Sequence, residues 1–579
     1  MEINSGQIID EYKTHFKVYA GPGAGKTHWL AINIANIIKK SPCLSSTSRI
    51  ACISYTNVAV EEMKKRLGKN IDNVDIMTIH SFLYNNIVKQ YAFLLKDADR
   101  SQLIDIKNMD GHKEHILNHA LYHEWLKDYG FGWVYATDKK MDKKVQSYVK
   151  DAQWIKSPAG DWSIISSSYL PIPKKLKDNL YDYKRKYWKM GRIHHDDVLY
   201  ISDIILSTYP NLYNFLSAKY RYLFIDEFQD TNPVQTKIVE ELAKKKTYVG
   251  VIGDLEQSIF SFQGACPEQF RSFSLRGQNE YTLSYNRRST DNIILFLNKI
   301  RKDGIQQNFF RNIPGDKVSI YVGDTNSSIK KIVKQYGNSD ITYMAWKNSD
   351  VLKIKNILSG NSSDVWGEFE VVDSDRYYFM KNIVISYIYA KKGDLTTALN
   401  TIKESIRKKV RLPWRKKGDV DITNIEQNAI ALTILKFLLN NQELITTGSL
   451  YDVYNTLADN ISAKFHGEIM LQKITSGSPR EYSTKFPFKS LIDTVDMPNE
   501  IRPIRTIHKA KSDEFKICAV LLNDAHIMEK LLNSSIIDEE CRIYYVACSR
   551  SMDKLIIIIP SLSGVVIGEL NKIGVEIIY

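Results

Sequence analysis

Cysteine is scarce in this chain. Cys43, Cys52, Cys266, Cys518, Cys541 and Cys548 are its only six in 579 residues, and no two stand at CxxC spacing. Neither a disulfide framework nor a zinc-ligand set is indicated, and a reducing interior fits. Long apolar runs are missing too. The longest, "LIIIIP" ending at Pro560, is far too short to cross a bilayer and is expected as a buried strand. The opening "MEINSGQIIDEYK" is acidic and polar, unlike a secretory leader, so a cytoplasmic location with no membrane partner is expected. Short-period repeats are absent. With 44% hydrophobic and 25% charged residues, the composition excludes a disordered chain. Acidic residues fall short of basic ones, 66 against 79, for a net charge of +13. That excess favours a polyanionic partner such as nucleic acid, although a lysine-rich solvated surface would give the same count.

A chain of this length exceeds one compact domain, and three or four are expected. Strand-like "HFKVYA" runs into "GPGAGKT" and an apolar-periodic helix. "RIACISYTNVAVEEMKKRL" repeats the strand-then-helix order, and "VDIMTIHSF" reads as a third short strand. Such alternation indicates a parallel α/β sheet. The rhythm breaks into helical, basic and aromatic segments, then resumes at "RYLFIDE" and "TYVGVIGD". A second α/β unit is expected to start near "EYTLSYNRRST", break again, and resume at "IRTIHKAKSDEFKICAVLL". The expected organisation is therefore two tandem α/β domains, each interrupted by a mainly helical insertion. Domain 1 comprises residues 1–84 and 205–280 around an insertion at 85–204. Domain 2 comprises 281–362 and 500–579 around a basic insertion at 363–499, which carries "SIRKKVRLPWRKKG".

Two stretches carry chemistry. "AGPGAGKT" has the strand-before, helix-after context of a P-loop, with Ala20 where the commonest pattern has its first glycine. Gly21, Gly23 and Gly25 let backbone N–H groups curl towards phosphate oxygens, and the helix N-terminus adds its dipole. Lys26 is expected to neutralise β- and γ-phosphate charge, and Thr27 to ligate Mg²⁺. "LFIDEFQDTNPVQ" is an apolar strand that meets two adjacent acids. Burying carboxylates without partners is costly. A metal ion at Asp226 and an attacking water at Glu227 would account for both acids.

These residues and others in the same order resemble the UvrD/Rep/PcrA helicases of superfamily 1. "DEFQDTNPVQ" is similar to that family's Walker B signature, and "SYTNVAVEEMKKRL" and "MTIHSF" to two DNA-contacting motifs. "VIGDLEQSIFSFQGA", "LSYNRRST", "TIHKAKSDEF" and "RIYYVACSRSMDKL" resemble motifs III to VI. The resemblance implies two RecA-like P-loop NTPase domains, ATP and Mg²⁺ as cofactors, and 3′→5′ movement on single-stranded DNA. It assigns catalysis to Lys26, Glu227, Gln257, Arg288 and Arg550. Nucleotide contacts fall to Gln7, Gly21, Gly23, Ala24, Gly25, Lys26, Thr27, His28, Arg287 and Glu514, and the metal to Thr27 and Asp226. DNA contacts fall to Thr56, Asn57, Thr78, His80, Phe260, Phe262, Thr506, His508 and Lys511. Phe260 and Phe262 would stack on bases, with core packing as the alternative.

Three positions depart from the family pattern: Gln263 replaces an arginine in motif III, Arg287 a tyrosine in motif IV, and Ser512 a glycine in motif V. The expected activity is ATP-dependent translocation and unwinding, with single strands and single-strand/duplex junctions as partners. The alternative is a helicase-like ATPase or sensor subunit, little able to unwind by itself, beside a separate nuclease in an anti-phage system of the Gabija type.

Overall fold

Short β-branched and aromatic runs alternating with helices assemble into a seven-stranded sheet. In this computed structural model the strands are β1 (Glu2–Ile3), β2 (Phe16–Ala20), β3 (Arg49–Ser54), β4 (Val74–Thr78), β5 (Tyr220–Ile225), β6 (Tyr248–Gly253) and β7 (Asn279–Leu283). Their order is β1-β7-β2-β6-β5-β3-β4, and the pairing is parallel throughout. The structure describes the chain except residues 46, 69–71, 98, 110, 114, 116, 158, 169, 262–263, 338–339, 360–364, 392, 407–412, 419–421, 496–503 and 534–537.

Successive side chains of a strand point to opposite faces, and both faces of this sheet are covered. Along β5, Tyr222 and Phe224 enter the core that holds Trp29 and Ile34, while Leu223 and Ile225 enter the one that holds Phe82 and Ile201. The first core lies under α1 (Lys26–Lys40) and α2 (Asn57–Leu67), which follow β2 and β3. The expected third strand is shorter than "VDIMTIHSF" suggests. It stops at Thr78, whose hydroxyl accepts the N–H of Ser81 (3.2 Å) and starts α3 (Ile79–Leu83).

The expected start of the second α/β unit needs correcting. Tyr281 and Leu283 pair with Val18 and Ala20 and are buried in the first core, so the first sheet runs to Leu283. The segment between β4 and β5 is mainly helical, as expected, but it also holds an antiparallel hairpin, Ala152–Lys156 with Trp162–Ser166. Its half-buried face is aromatic: Trp154 stacks on Tyr200, ring centroids 3.7 Å apart.

After β7 come α4 (Asp291–Ile300) and a second parallel ladder made of β8 (Ser319–Val322), β9 (Phe515–Leu521), β10 (Ser551–Ile559) and β11 (Glu576–Ile578), with α5 (Glu539–Cys548) leading into β10. The ladder runs β9-β10-β8-β11. The apolar run of Leu555–Ile559 is its buried interior, as expected.

The chain divides into two compact units, Met1–Gly323 with Ile507–Tyr579, and Asp324–Thr506. In the second unit Ile341–Ala345 pairs in parallel with Ile504–Thr506. The helices Ser374–Lys391, Asn424–Asn440 and Leu450–Lys464 enclose a core that includes Met380, Ile434 and Leu457. Of the basic stretch, residues 407–412, with Arg407, Lys408, Lys409 and Arg411, lie outside the described residues. Of the remainder, Lys416 is paired with Glu426 (2.8 Å) and Lys417 with Glu468 (3.4 Å). Among the described residues no helix is long and apolar enough to cross a membrane.

Candidate active site

The P-loop joins β2 to α1, and its glycines are required twice over. Gly23 (φ +67°) and Gly25 (φ +81°) lie in the left-handed region that favours glycine. A Cβ on Gly23 would also stand 2.6 Å from Asn286 Oδ1 and 2.7 Å from Arg288 Cβ, while one on Gly21 would overlap the Gln307 amide. Gly25 is the N-cap of α1 and has no side chain to cap it, so the first turn is open to an anion.

Asp226 and Glu227 follow β5 directly. Glu227 holds φ +58°, an unusual conformation for a residue with a side chain and one that gathers at functional sites. Its N–H donates to Asp226 Oδ1 (3.0 Å), and its carboxylate lies 3.4 Å from Lys26 Nζ and accepts from Gln229 Nε2 (2.5 Å). Burial and the neighbouring Glu227 charge raise the Asp226 pKa to about 7, against the pull of Lys26 and a hydrogen bond from Thr27. Burial pushes Glu227 up as well, but Lys26 and Lys511 outweigh it and hold it at about 2. The two lysines therefore favour the ionised form of Glu227. The Thr27 hydroxyl and Asp226 carboxylate form a hard-oxygen pair that suits Mg²⁺, and a cation beside Asp226 would favour its ionised form.

Two arginines from beyond the first sheet face the same space. Arg288, after β7, donates to Ser549 O (2.7 Å) and Glu514 Oε1 (2.6 Å). Arg550, after α5, donates to Gln257 Oε1, and Gln257 Nε2 donates to Asp254 (2.6 Å). The Nε of both arginines is buried without a partner. Burial and the adjacent Arg288 lower the Arg550 pKa to about 10. Two buried guanidiniums side by side, with donors unsatisfied, call for an anion between the lobes.

A cleft of about 700 Å³ is lined by Gly23, Ala24, Gly25, Lys26, Thr27, His28, Thr56, Asp226, Glu227, Gln257, Arg287, Arg288, Lys511, Glu514 and Arg550, among others. It is within the range of small-molecule sites. Of the expected nucleotide and catalytic residues, two fall outside this lining. Gly21 abuts Gln307, and Gln7 is exposed, its carbonyl accepting from Asn33 (3.2 Å).

Phe310 was not foreseen. The Arg287 guanidinium carbon lies 3.6 Å from its ring centroid, and the Arg287 N–H donates to Gly23 O (2.8 Å). At the motif IV position where the resembled family has a tyrosine, this chain presents a guanidinium plane backed by a ring. A cation–π contact of this kind contributes about 1 kcal/mol, so Phe310→Ala is expected to weaken nucleotide binding about five-fold. Titration with a fluorescent nucleotide reads this directly, and an unchanged affinity would deny Phe310 that role.

The residues expected on DNA are distributed differently. Thr56 and Thr78 cap α2 and α3 through their hydroxyls, and Thr56 also lies 3.4 Å from Ser512 Oγ in the cleft. Asn57 is exposed at the start of α2. Phe260 and Lys511 are both buried. Phe260 is 9% exposed, stacks on Tyr55 (centroids 5.1 Å apart) and has the Lys511 ammonium 4.5 Å from its ring centre. Lys511 is itself buried in an ion pair with Asp230. A carboxylate as buried as Asp230 needs a counter-charge, and Lys511 supplies it. Phe262 and Gln263 lie outside the described residues. His508 is half-buried, and Thr506 is buried at the end of its strand in the second unit.

His80 stands edge-on to His195 and near His112, with centroids 5.7 and 6.3 Å away. Burial, then the charges of His195 and His112, lower its pKa from 6.5 to about 4, so it is neutral near pH 7. Because the folded pKa lies below the unfolded one, its stabilising term is complete above about pH 6.5 and is lost towards pH 4, about 3 kcal/mol in all. Urea unfolding at pH 7.5 and pH 5 should show this loss, and His80→Gln should reduce it. An equal loss in both proteins would assign the acid sensitivity elsewhere.

Residues 1–276 match the family described as the UvrD/REP helicase N-terminal domain. The chain is 28% identical over 357 residues to Gabija protein GajB of Bacillus cereus (strain HuB5-5), covering 55% of this chain and 51% of that one. It is 24% identical over 614 residues to a probable DNA helicase II homolog of Mycoplasma capricolum, covering 93% and 81%. It is 27% identical over 316 residues to the ATP-dependent DNA helicase PcrA of Bacillus subtilis, covering 53% and 40%. The matched stretch thus spans about half of GajB and less than half of that PcrA. Over residues 1–276 the chain is thus similar to the UvrD/REP helicases of superfamily 1, and Arg288 and Arg550, from beyond that stretch, line the same cleft as its P-loop.

Proposed function

We propose that this protein hydrolyses ATP to move along single-stranded DNA and unwind duplex ahead of it, with 3′→5′ polarity, in repair, replication or defence. One observation carries the proposal. Lys26 and the two acids at the end of β5 share a cleft with Arg288, which lies between β7 and α4, and Arg550, which lies between α5 and β10. Residues from two lobes that meet on one phosphate chain convert its binding and cleavage into closure and opening.

The chain's own groups have separable tasks. The P-loop N–H groups and Lys26 hold phosphate oxygens, and Arg287 offers a plane to the base. Thr27 and Asp226 would hold Mg²⁺, which supplies charge neutralisation on the phosphates when bound. Glu227 accepts the proton of the attacking water, while Arg288 and Arg550 stabilise the charge that develops on the transferring group. DNA contact rests on Asn57, His508 and the caps Thr56 and Thr78, with Lys511 linking motif V to Asp230.

A strand-displacement assay tests the proposal. Duplexes with a 3′ single-stranded tail should be unwound in an ATP-dependent manner, and 5′-tailed duplexes should not. Similarity to GajB favours a second reading, a helicase-like ATPase subunit acting with a separate nuclease. DNA-stimulated ATP hydrolysis without displacement of either substrate would favour that reading.

A further inference from the structure

Arg301, at the C-terminal end of α4, carries no motif, yet its guanidinium is a hub behind the cleft residue Gln257. Its side chain is 1% exposed and that of its partner Asp254 is 0%. All five of its N–H directions are used. Nε and Nη2 donate to Asp303 (2.6 and 2.5 Å), Nη2 and Nη1 to Asp254 (2.9 and 3.4 Å), and Nη1 to the Tyr545 hydroxyl (2.9 Å). Only a planar fork can satisfy two carboxylates and a phenol at once.

These partners belong to different parts of the site. Asp254 follows β6 of the first sheet, and its carboxylate also accepts from Gln257 Nε2 (2.6 Å) and the Glu256 N–H (3.2 Å). The Gln257 oxygen accepts from Arg550. Tyr545 lies on α5, the helix that delivers Arg550. The contacts therefore close a ring: Arg301 to Asp254, Asp254 to Gln257, Gln257 to Arg550, and back along α5 through Tyr545 to Arg301. Asp254 fixes the Gln257 amide with its N–H₂ turned away from Arg550 and its oxygen turned towards it. The reverse orientation would set N–H against a guanidinium.

We propose that Arg301 is a positioning residue that holds the Gln257–Arg550 pair in register to distinguish a nucleoside triphosphate from a diphosphate. The proposal rests on the reading of the cleft as an ATP site. Arg301 touches no reacting atom, and its effect passes through Asp254 and Tyr545.

Arg301→Lys keeps the charge and loses the fork, and Tyr545→Phe removes one hydroxyl from the same ring. Affinities for a non-hydrolysable ATP analogue and for ADP, kcat, KM and the thermal midpoint are measured on each full-length variant. The expected result for Arg301→Lys is a fall in triphosphate-over-diphosphate preference of about ten-fold and a similar fall in kcat, with ADP affinity within about two-fold of wild type. Tyr545→Phe should move the same quantities in the same direction by less, at a thermal midpoint close to wild type. Wild-type preference and kcat in folded Tyr545→Phe and Arg301→Lys would overturn the proposal. So would wild-type values in Tyr545→Phe if Arg301→Lys does not fold. A wild-type protein that itself binds neither nucleotide would overturn the reading of the cleft instead.

Discussion

Glu227→Gln is expected to bind ATP with near-wild-type affinity and to lose DNA-stimulated hydrolysis by about 10³-fold, the scale of a missing general base. The substitution preserves volume and removes the carboxylate whose charge Lys26 and Lys511 favour. Lys26 and Lys511 hold its pKa at about 2, whereas burial raises Asp226 to about 7 and Asp230 to about 6. Neither neighbour can stand in, because Asp226 faces Thr27 and Asp230 is paired with Lys511. The strained backbone at Glu227 acts in the same sense, since a residue held at φ +58° is placed by its surroundings and does not wander to a second position. Lys26→Ala serves as the contrasting variant, expected to lose binding and turnover together. Steady-state turnover in Glu227→Gln within about ten-fold of wild type would remove Glu227 from the role of base.

How far the sequence announces this site depends on the kind of constraint each residue answers to. Gly23 and Gly25 are legible because their left-handed backbone excludes other residues. Asp226 and Glu227 are legible because two carboxylates at the end of a buried apolar strand are costly unless cations meet them there. Both parallel ladders are legible from the alternation of strand and helix. Sheet membership is less so: β7 is an ordinary apolar strand, and its pairing with β2 follows from burial of Tyr281 and Leu283 against α1. The ion pair of Lys511 with Asp230 and the stacking of Phe260 on Tyr55 are hidden because those partners are remote in sequence. The same remoteness hides Gln307, Phe310 and Arg301, whose contacts reach Pro22, Arg287 and Asp254. A motif records residues that are neighbours along the chain, and these three are neighbours only once both lobes have formed.

Arg550→Ala and Arg288→Ala are each expected to retain ATP binding within a few-fold and to reduce hydrolysis by about 10³-fold, as loss of a phosphate-directed arginine does. The physical ground is the mutual repulsion already built into the site. Burial and Arg288 depress the Arg550 pKa to about 10, so holding both cations there is costly until a phosphate chain lies between them. Charge that increases on the transferring group strengthens its attraction to both, which lowers the barrier more than it tightens the ground state. Lysine at position 550 should restore little, since it lacks the planar fork that spans the Gln257 oxygen and a phosphate at fixed geometry. Arg288 differs from Arg550 in having Glu514 2.6 Å away, so Glu514→Gln should partly mimic ligand arrival by releasing that arm. If hydrolysis and ATP affinity fell in equal proportion in both alanine variants, the arginines would be ground-state binders and closure between lobes would need another trigger. Single-turnover kinetics with pre-bound ATP separates the two cases, because only a transition-state role slows the step after binding.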